Sequence, residues 1–323
     1  MGLKRPPPDS RSAREGFGKR TAEGELESIL EWCASVVGPC EVVSSDRRFH
    51  RRTSVYRLRT ASQNCYVKVH RQASSWEQEA HDYEKWASAF GAYAPRLPAV
   101  HESEPLALLV DEMQGEAMDT VQLPRDLEEE VWHTAGRALA GLHDLAVGEY
   151  FGPCKRDGAS AGVLMQDAKD YISNELERLE DEGIRNGYLS EEELGVVRSV
   201  QSLVSAFSGE PPVPCHRDYS PANWLVTADG VWVGVIDFEL AQWDVRVSDF
   251  SRYPNREWIH RPELLVAFFD GYGRSLTPKE EQQQLVTRTS YALGAIGWGR
   301  EHSYDGFVEE GRRALRHVSG LLG

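Results

Sequence analysis

The apolar positions of this chain fall into two textures, short alternating runs up to about residue 113 and helical spacing thereafter. TAEGELESILEWCASVV sets Leu26, Ile29, Leu30 and Trp32 at the spacing of one helix face, which predicts a helix. Thr21 is a candidate N-cap, and Glu23 and Glu25 suit the positive end of the helix dipole. Gly24 stands where a capping box wants Glu or Gln, so the start of this helix stays open. CEVVSS, SVYRLRT and NCYVKVHR read as strands, the last alternating around Tyr66, Lys68 and His70. Helical spacing returns in SSWEQEAHDYEKWASAF through Trp76, Ala80, Tyr83 and Trp86. PRLPAVHES and LALLVDEM then read as two more strands. Residues 23–113 are therefore expected to form a small β-rich lobe with one main helix.

Beyond Gly115 the helical pattern dominates. EEEVWHTAGRALAGLHDL carries an apolar stripe, and the segment from Gln166 to Phe207 is helical and acidic. PELLVAFFDGY, the run from Glu280 to Trp298, and FVEEGRRALRHVSGLL continue it. Between them lies a strand-loop-strand block, VPCHRDYSPANWLVTADGVWVGVIDFELAQWD, and no internal repeat occurs. The expected organisation is a disordered, basic, Pro-rich tail over 1–22, a first lobe over 23–113, and a helical lobe over 114–323. The hinge is expected near Asp111 to Gly115.

Composition narrows the partners. A hydrophobic fraction of 41% supports a packed core. A net charge of −15 with a pI near 5.2 argues against nucleic acid and suits a cationic small molecule. The cysteines are odd in number and lack C-x-x-C spacing, which argues against a disulfide framework and a structural zinc site. No apolar run is long enough to span a membrane, and the first twenty residues hold no apolar stretch of signal-peptide type. The expectation is a cytoplasmic protein, monomer or homodimer, with no membrane partner.

The chemistry concentrates in one block. His216-Arg217-Asp218 is followed by Asn223, and then by Ile236-Asp237-Phe238. An H-x-D alone is commonplace, as is an Asp before a Phe, and Asp and Asn in loops more often cap turns than bind metal. The joint pattern is far rarer. Phosphoryl transfer needs a carboxylate to orient and deprotonate an acceptor hydroxyl, and further oxygens to hold Mg²⁺ between phosphates. Asp218, Asn223 and Asp237 supply such oxygens in that order. Trp224, Leu225 and Val226, then Val231, Val233, Val235 and Ile236, read as two strands joined by the turn Thr227-Ala228-Asp229-Gly230. Such a hairpin brings Asn223 and Asp237 side by side at its open end.

HRDYSPANWLV followed by VIDFELAQWD resembles the catalytic and metal-binding loops of aminoglycoside phosphotransferases and choline kinases, which share the protein-kinase fold. The resemblance implies an α+β, bilobal, protein-kinase-like fold. It also implies ATP or GTP and Mg²⁺ as cofactors, Asp218 as catalytic base, Asn223 and Asp237 as Mg²⁺ ligands, and His216 as a brace. An Asp at the position of Asp249 would hold the catalytic loop. Arg217 departs from the Gly common there in antibiotic kinases. Only twelve residues separate Asp237 from Asp249, too few for the activation segment on which a protein kinase seats a peptide. The acceptor is therefore expected to be the hydroxyl of a small molecule.

On the nucleotide side, a kinase lobe needs a strand Lys for the α- and β-phosphates and a helix Glu to hold it. Lys68, flanked by Val67 and Val69, is the candidate, although a lone strand Lys is more often merely solvent-facing. EQEAHDYEKW resembles the family's E-A-x-x-x-x-x-W helix and implies Glu79 as its partner, with Glu77 as the fallback. The first strand loop, SSDRRFHRRTSVYRL, has no Gly for a backbone cradle, so Arg51, Arg52, Thr53 and Ser54 are the candidate phosphate donors. Backbone groups from Val110 through Glu112 to Met113 are expected to read the base.

Candidate acceptor contacts are Glu239, Trp258 and His260, with Asp270, Tyr272 and Trp298 behind them; each has an ordinary structural reading as core or helix end. The leading function is ATP-dependent phosphorylation of a small hydroxylated molecule, in particular an antibiotic. A primary-metabolite kinase of choline, homoserine or sugar type, and an inactive kinase-fold binding protein, are the alternatives. The residues leave the identity of the acceptor open.

Overall fold

In the computed structural model the period-two runs near the N-terminus become one antiparallel sheet. The structure describes residues 11–46, 53–251 and 253–323, without the side chains of 11–23, 46 and 253–256. Two units divide the chain, one holding Met1–Ala73 and Leu97–Glu112, the other Ser74–Arg96 and Met113–Gly323.

The first unit is helix α1 (Arg11–Val37) on a five-stranded sheet. Its strands are β1 (Cys40–Asp46), β2 (Thr53–Thr60), β3 (Asn64–His70), β4 (Ala99–His101) and β5 (Ala107–Asp111), in the order β1-β2-β3-β5-β4. Alternation decides which side chains meet the helix. Tyr56 and Leu58 of β2, Cys65 and Val67 of β3, and Ala107 and Leu109 of β5 pack with Ile29 and Cys33 of α1, with Leu26, Leu30 and Trp32 around them. Burial of each such aliphatic chain contributes about 1.5–3 kcal/mol. The helix begins at Arg11, ten residues before Thr21, so residues 11–22 of the expected tail are helical. The Ala, Arg, Lys and Glu there are good helix formers, and Thr21 continues the helix instead of capping it.

The second unit opens with α2 (Ala73–Lys85), which belongs to it from Ser74 onward. The large side chains of α2 pack on second-unit partners: Tyr83 on Phe238 at 5.2 Å, Trp76 under the Arg156 guanidinium at 5.5 Å. Gln78 also donates to the Ala241 carbonyl at 2.5 Å. The rest comprises β6 (Glu116–Ala117), α3 (Arg125–His143), α4 (Ala168–Arg185), α5 (Glu191–Gln201), β7 (Val213–Cys215), β8 (Trp224–Val226), β9 (Trp232–Val235) and β10 (Gln242–Asp244). Four helices close the chain: α6 (Tyr253–His260), α7 (Pro262–Tyr272), α8 (Pro278–Glu301) and α9 (Asp305–Leu322). β6-β8-β9 form one small sheet and β10-β7 another. The acidic segment expected as continuous helix breaks between α4 and α5. Gly187 turns left-handed at φ 65°, and Ser190 with Glu193 starts α5 by a capping box.

Helices α3 and α7 cross at two glycines. A Cβ on Gly136 would lie 1.9 Å from the Phe268 carbonyl oxygen, and one on Gly271 only 1.8 Å from that of His133. Backbone stands against backbone, and neither side can yield by a rotamer change. Gly136→Ala is expected to lower stability by at least about 1–3 kcal/mol, read as a lower urea midpoint with an unchanged slope. Trp132, beside Gly136, stacks edge-on to Trp224 of β8 at 4.8 Å, which joins this crossing to the hairpin described next.

Candidate active site

The block HRDYSPANWLVTADGVWVGVID folds as a loop followed by a tight hairpin. Gly230, at φ 82°, donates to the Thr227 carbonyl, and Thr227 Oγ1 donates to Asp229 at 2.6 Å, closing the turn between β8 and β9. The register pairs Trp224 with Val235. One step on, Ile236 N–H donates to the Asn223 carbonyl at 3.0 Å. Asn223 therefore lies opposite Ile236 and Asp237 comes next, one residue beyond the side-by-side placement expected of the hairpin.

Asn223 is buried and its amide N–H₂ is committed. Nδ2 donates to the Asp218 carbonyl at 2.9 Å and to Asp218 Oδ2 at 3.1 Å. This orientation fixes the Asp218 carboxylate and turns the Asn223 Oδ1 the other way. Asp218 and Asp237 are both half-buried. Arg217 and Asp237 hold left-handed backbones at φ 66° and 67°. Such conformations cost about 1–3 kcal/mol each in non-Gly residues and persist where surrounding bonds over-determine them.

Those bonds come from Asp249 and His216. The buried Asp249 accepts His216 N–H at 2.8 Å and Arg217 N–H at 2.5 Å. It also accepts His143 Nε2–H at 3.0 Å. Tyr272 OH lies 2.8 Å from the other imidazole nitrogen and donates to it. Burial pushes the Asp249 carboxyl up, but the hydrogen bonds from His143 and from the His216 N–H outweigh it and hold the pKa below the ordinary carboxylate range. Burial also pushes His143 below its usual value, consistent with a neutral ring that donates to Asp249 and accepts from Tyr272. His216 accepts Asp218 N–H at Nδ1 and donates from Nε2 to the Ile236 carbonyl at 3.1 Å, tying the 216–223 loop to the strand before Asp237. The Arg217 side chain pairs with Asp244 and reaches Glu175 at 3.6 Å, which anchors the loop from its other end.

The three residues picked out by spacing thus share one loop and hairpin. His143, Tyr272 and Asp244 were missed as supports. The signal for His143 was its place on the buried stripe of EEEVWHTAGRALAGLHDL, four residues after Leu139. Trp258 is 5% exposed and packs against Phe268 and Phe269 at 5.2 and 5.4 Å. Tyr272 is buried likewise, whereas His260 is exposed and Glu239 half-buried two residues after Asp237.

In the first unit, Lys68 lies on β3 between Val55 of β2 and Leu108 of β5, on the sheet face away from α1, and is buried. Ser54 pairs with Val69, and Arg51 and Arg52 lie outside the described residues. Glu112 accepts Arg57 at 2.6 Å, Asn64 at 2.7 Å and Tyr66 at 3.1 Å. Burial raises this carboxyl, but those donors prevail and hold its pKa below normal. Its backbone N–H donates to the Asn64 carbonyl at 3.2 Å. In the second unit, Glu79 is fully buried on α2.

No curated protein matches the chain by sequence. Aminoglycoside phosphotransferase APH(4)-Ia superposes with TM-score 0.67 at 14% identity, over 92% of this chain and 98% of that one. An APH(2") of type IIIa, with GDP and kanamycin, gives 0.66 at 15%, over 91% and 98%. APH(2'')-Ib with ADP gives 0.60 at 15%, over 90% and 96%. At such identities these neighbours establish the protein-kinase-like α+β fold. The family model described as "Phosphotransferase enzyme family" matches residues 47–283, which takes in β2 to α7, the start of α8 and the whole Asp218–Asp237 block. The chain belongs to the APH phosphotransferase enzyme family and is a small-molecule kinase, as the resemblance of its two loops implied.

Proposed function

We propose that this protein transfers the γ-phosphoryl group of ATP or GTP to a hydroxyl of a small molecule, with amine-bearing antibiotics as the acceptor class. The observation that carries this reading is the Asn223 amide holding the half-buried Asp218 carboxylate in place. Asp218 takes the hydroxyl proton while the acceptor oxygen bonds to the γ-phosphorus. The bond from that phosphorus to the β-phosphate oxygen breaks, and the diphosphate leaves with its electron pair. Asn223 Oδ1 and the Asp237 carboxylate form a hard oxygen pair that fits Mg²⁺, which when bound would neutralise phosphate charge. Lys68, Ser54 and Glu79 are assigned to the nucleotide. For the base, the sheet bond of Glu112 N–H narrows the expected groups around Val110 to the Glu112 carbonyl and Met113 N–H. Glu239 and His260 are assigned to the acceptor.

Related structures support the acceptor class. A thermostable APH(4)-Ia mutant was crystallised with AMP-PNP and hygromycin B, and the APH(2") protein with GDP and kanamycin. The net charge of −15 suits such polycations. The test is incubation with MgATP or MgGTP and a panel of antibiotics and metabolites, read as a mass gain of one phosphate. Phosphorylated choline, homoserine or sugar, with antibiotics untouched, would replace the acceptor class. No product, and no thermal shift at millimolar nucleotide, would sink the reading in favour of an inactive binding fold. Asp237→Ala is expected to abolish Mg²⁺-dependent nucleotide binding in calorimetry; an unchanged affinity for the magnesium nucleotide counts against its role.

A further inference from the structure

Helix α2 buries a polar group that the phosphoryl-transfer reading does not use. His81 and Asp82 are consecutive on it, and Cys154 lies in the segment after α3 that bridges Phe151 to Met165. His81 is 5% exposed, and Asp82 and Cys154 are fully buried. One imidazole nitrogen, one carboxylate oxygen and the thiol sulfur all lie within 4.8 Å of one another. Neither Asp82 oxygen, nor His81 Nε2, has a hydrogen-bond partner among the described residues.

That arrangement is costly as it stands. An ionised carboxylate out of water needs a countercharge, and removing the charge by protonation still leaves an O–H without an acceptor. Glu79, one turn earlier on the same helix and also buried, adds a like charge. The His81 side shows the complementary feature. Its Nδ1 lies 3.3 Å from the Arg156 carbonyl; a proton shared there leaves a bare lone pair on Nε2. A backbone carbonyl on one imidazole nitrogen is the usual outer support of a metal-bound histidine. Carboxylate, thiolate and neutral imidazole are the donor types of a zinc-class ion, and together with a divalent cation they sum to zero net charge. Four-coordinate sites with three protein ligands are completed by water.

We propose that His81, Asp82 and Cys154 form a binding site for a zinc-class divalent cation, clamping α2 to the 151–165 segment. The other cluster of this composition, His143, Cys215 and Asp249, is a poorer candidate because its imidazole and carboxylate are already spent on the active-site loop. Spacing in the sequence does not reveal the site, since Cys154 is separated from His81 by more than seventy residues.

The test uses the full-length protein, stripped with a chelator and titrated with Co²⁺ as a spectroscopic probe, then with Zn²⁺. The expected result is one Co²⁺ per chain, a thiolate-to-cobalt charge-transfer band, and displacement by Zn²⁺ with a raised melting temperature. The band should vanish in Cys154→Ser and persist in Cys215→Ser, and Asp82→Asn should weaken retention at least tenfold. Circular dichroism checks that each variant folds. Should Cys154→Ser fail to fold, the wild-type titration decides alone. No thiolate band in the wild type, or one lost only in Cys215→Ser, overturns the proposal.

Discussion

Asp218→Asn is expected to lower kcat by about 10²–10⁴-fold, the usual contribution of a positioned general base. The amide keeps the size of the carboxylate, and the Asn223 bond to the residue-218 backbone carbonyl is retained, so the loop should hold its shape. Nucleotide affinity and melting temperature should change little, because the side chain is half-buried and the loop is anchored elsewhere by Asp249 and Asp244. The measurement is steady-state phosphorylation of an acceptor identified by the mass screen, beside calorimetry with the magnesium nucleotide. A variant within threefold of the wild-type kcat would remove Asp218 from the role of base.

Asp249→Ala is expected to have the largest effect on stability, about 3–5 kcal/mol, the range for removing one partner of a buried charged group. Three donors lose their acceptor at once: the N–H groups of His216 and Arg217, and His143 Nε2–H. Arg217 would also lose part of what holds it at φ 66°. Activity should therefore fall with stability, and low temperature should not fully restore it. Acid should reproduce part of the effect. The Asp249 carboxyl has a folded pKa below its ordinary value, so its stabilisation is complete above the unfolded carboxylate pKa, near 3.9. It is lost as pH falls through the folded value. His143 acts in the same direction at higher pH, because burial depresses its pKa and the unfolded chain takes up its proton below about pH 6.5. Urea midpoints from pH 7 down to about 2 should fall steadily in the wild type, and more shallowly in Asp249→Ala below the unfolded carboxylate pKa near 3.9. Equal slopes would show that this carboxylate contributes nothing to acid sensitivity.

Sequence and structure divide the work unevenly. The sheet of the first unit was legible because alternation is local: Tyr56 and Leu58, Cys65 and Val67 face α1 simply by parity. The hairpin between Asn223 and Asp237 was legible from its two apolar runs around a Thr-Ala-Asp-Gly turn, but its register was not, because the pairing shifts between Leu225 and Val226. The family, too, could be read from two loops of about ten residues each. The start of α1 was not legible, because Thr is only a weak start signal among good helix formers.

What only the tertiary structure decided depends on contacts between distant residues. His143 reaches Asp249 from 106 positions away, and no periodicity distinguishes a buried histidine that donates from one that merely fills space. Trp258 reads equally well as ligand wall or core in the sequence, and its aromatic neighbours on α7 are set by packing alone. Helix α2 follows β3 directly in sequence, and its partners Phe238 and Ala241, more than 150 positions on, are met by Tyr83 and Gln78 only through packing. The reaction type was carried by short-range spacing, which a single loop can encode. The rigidity of the Asp218 loop comes from buried polar groups on separate elements, and those are brought together only by packing.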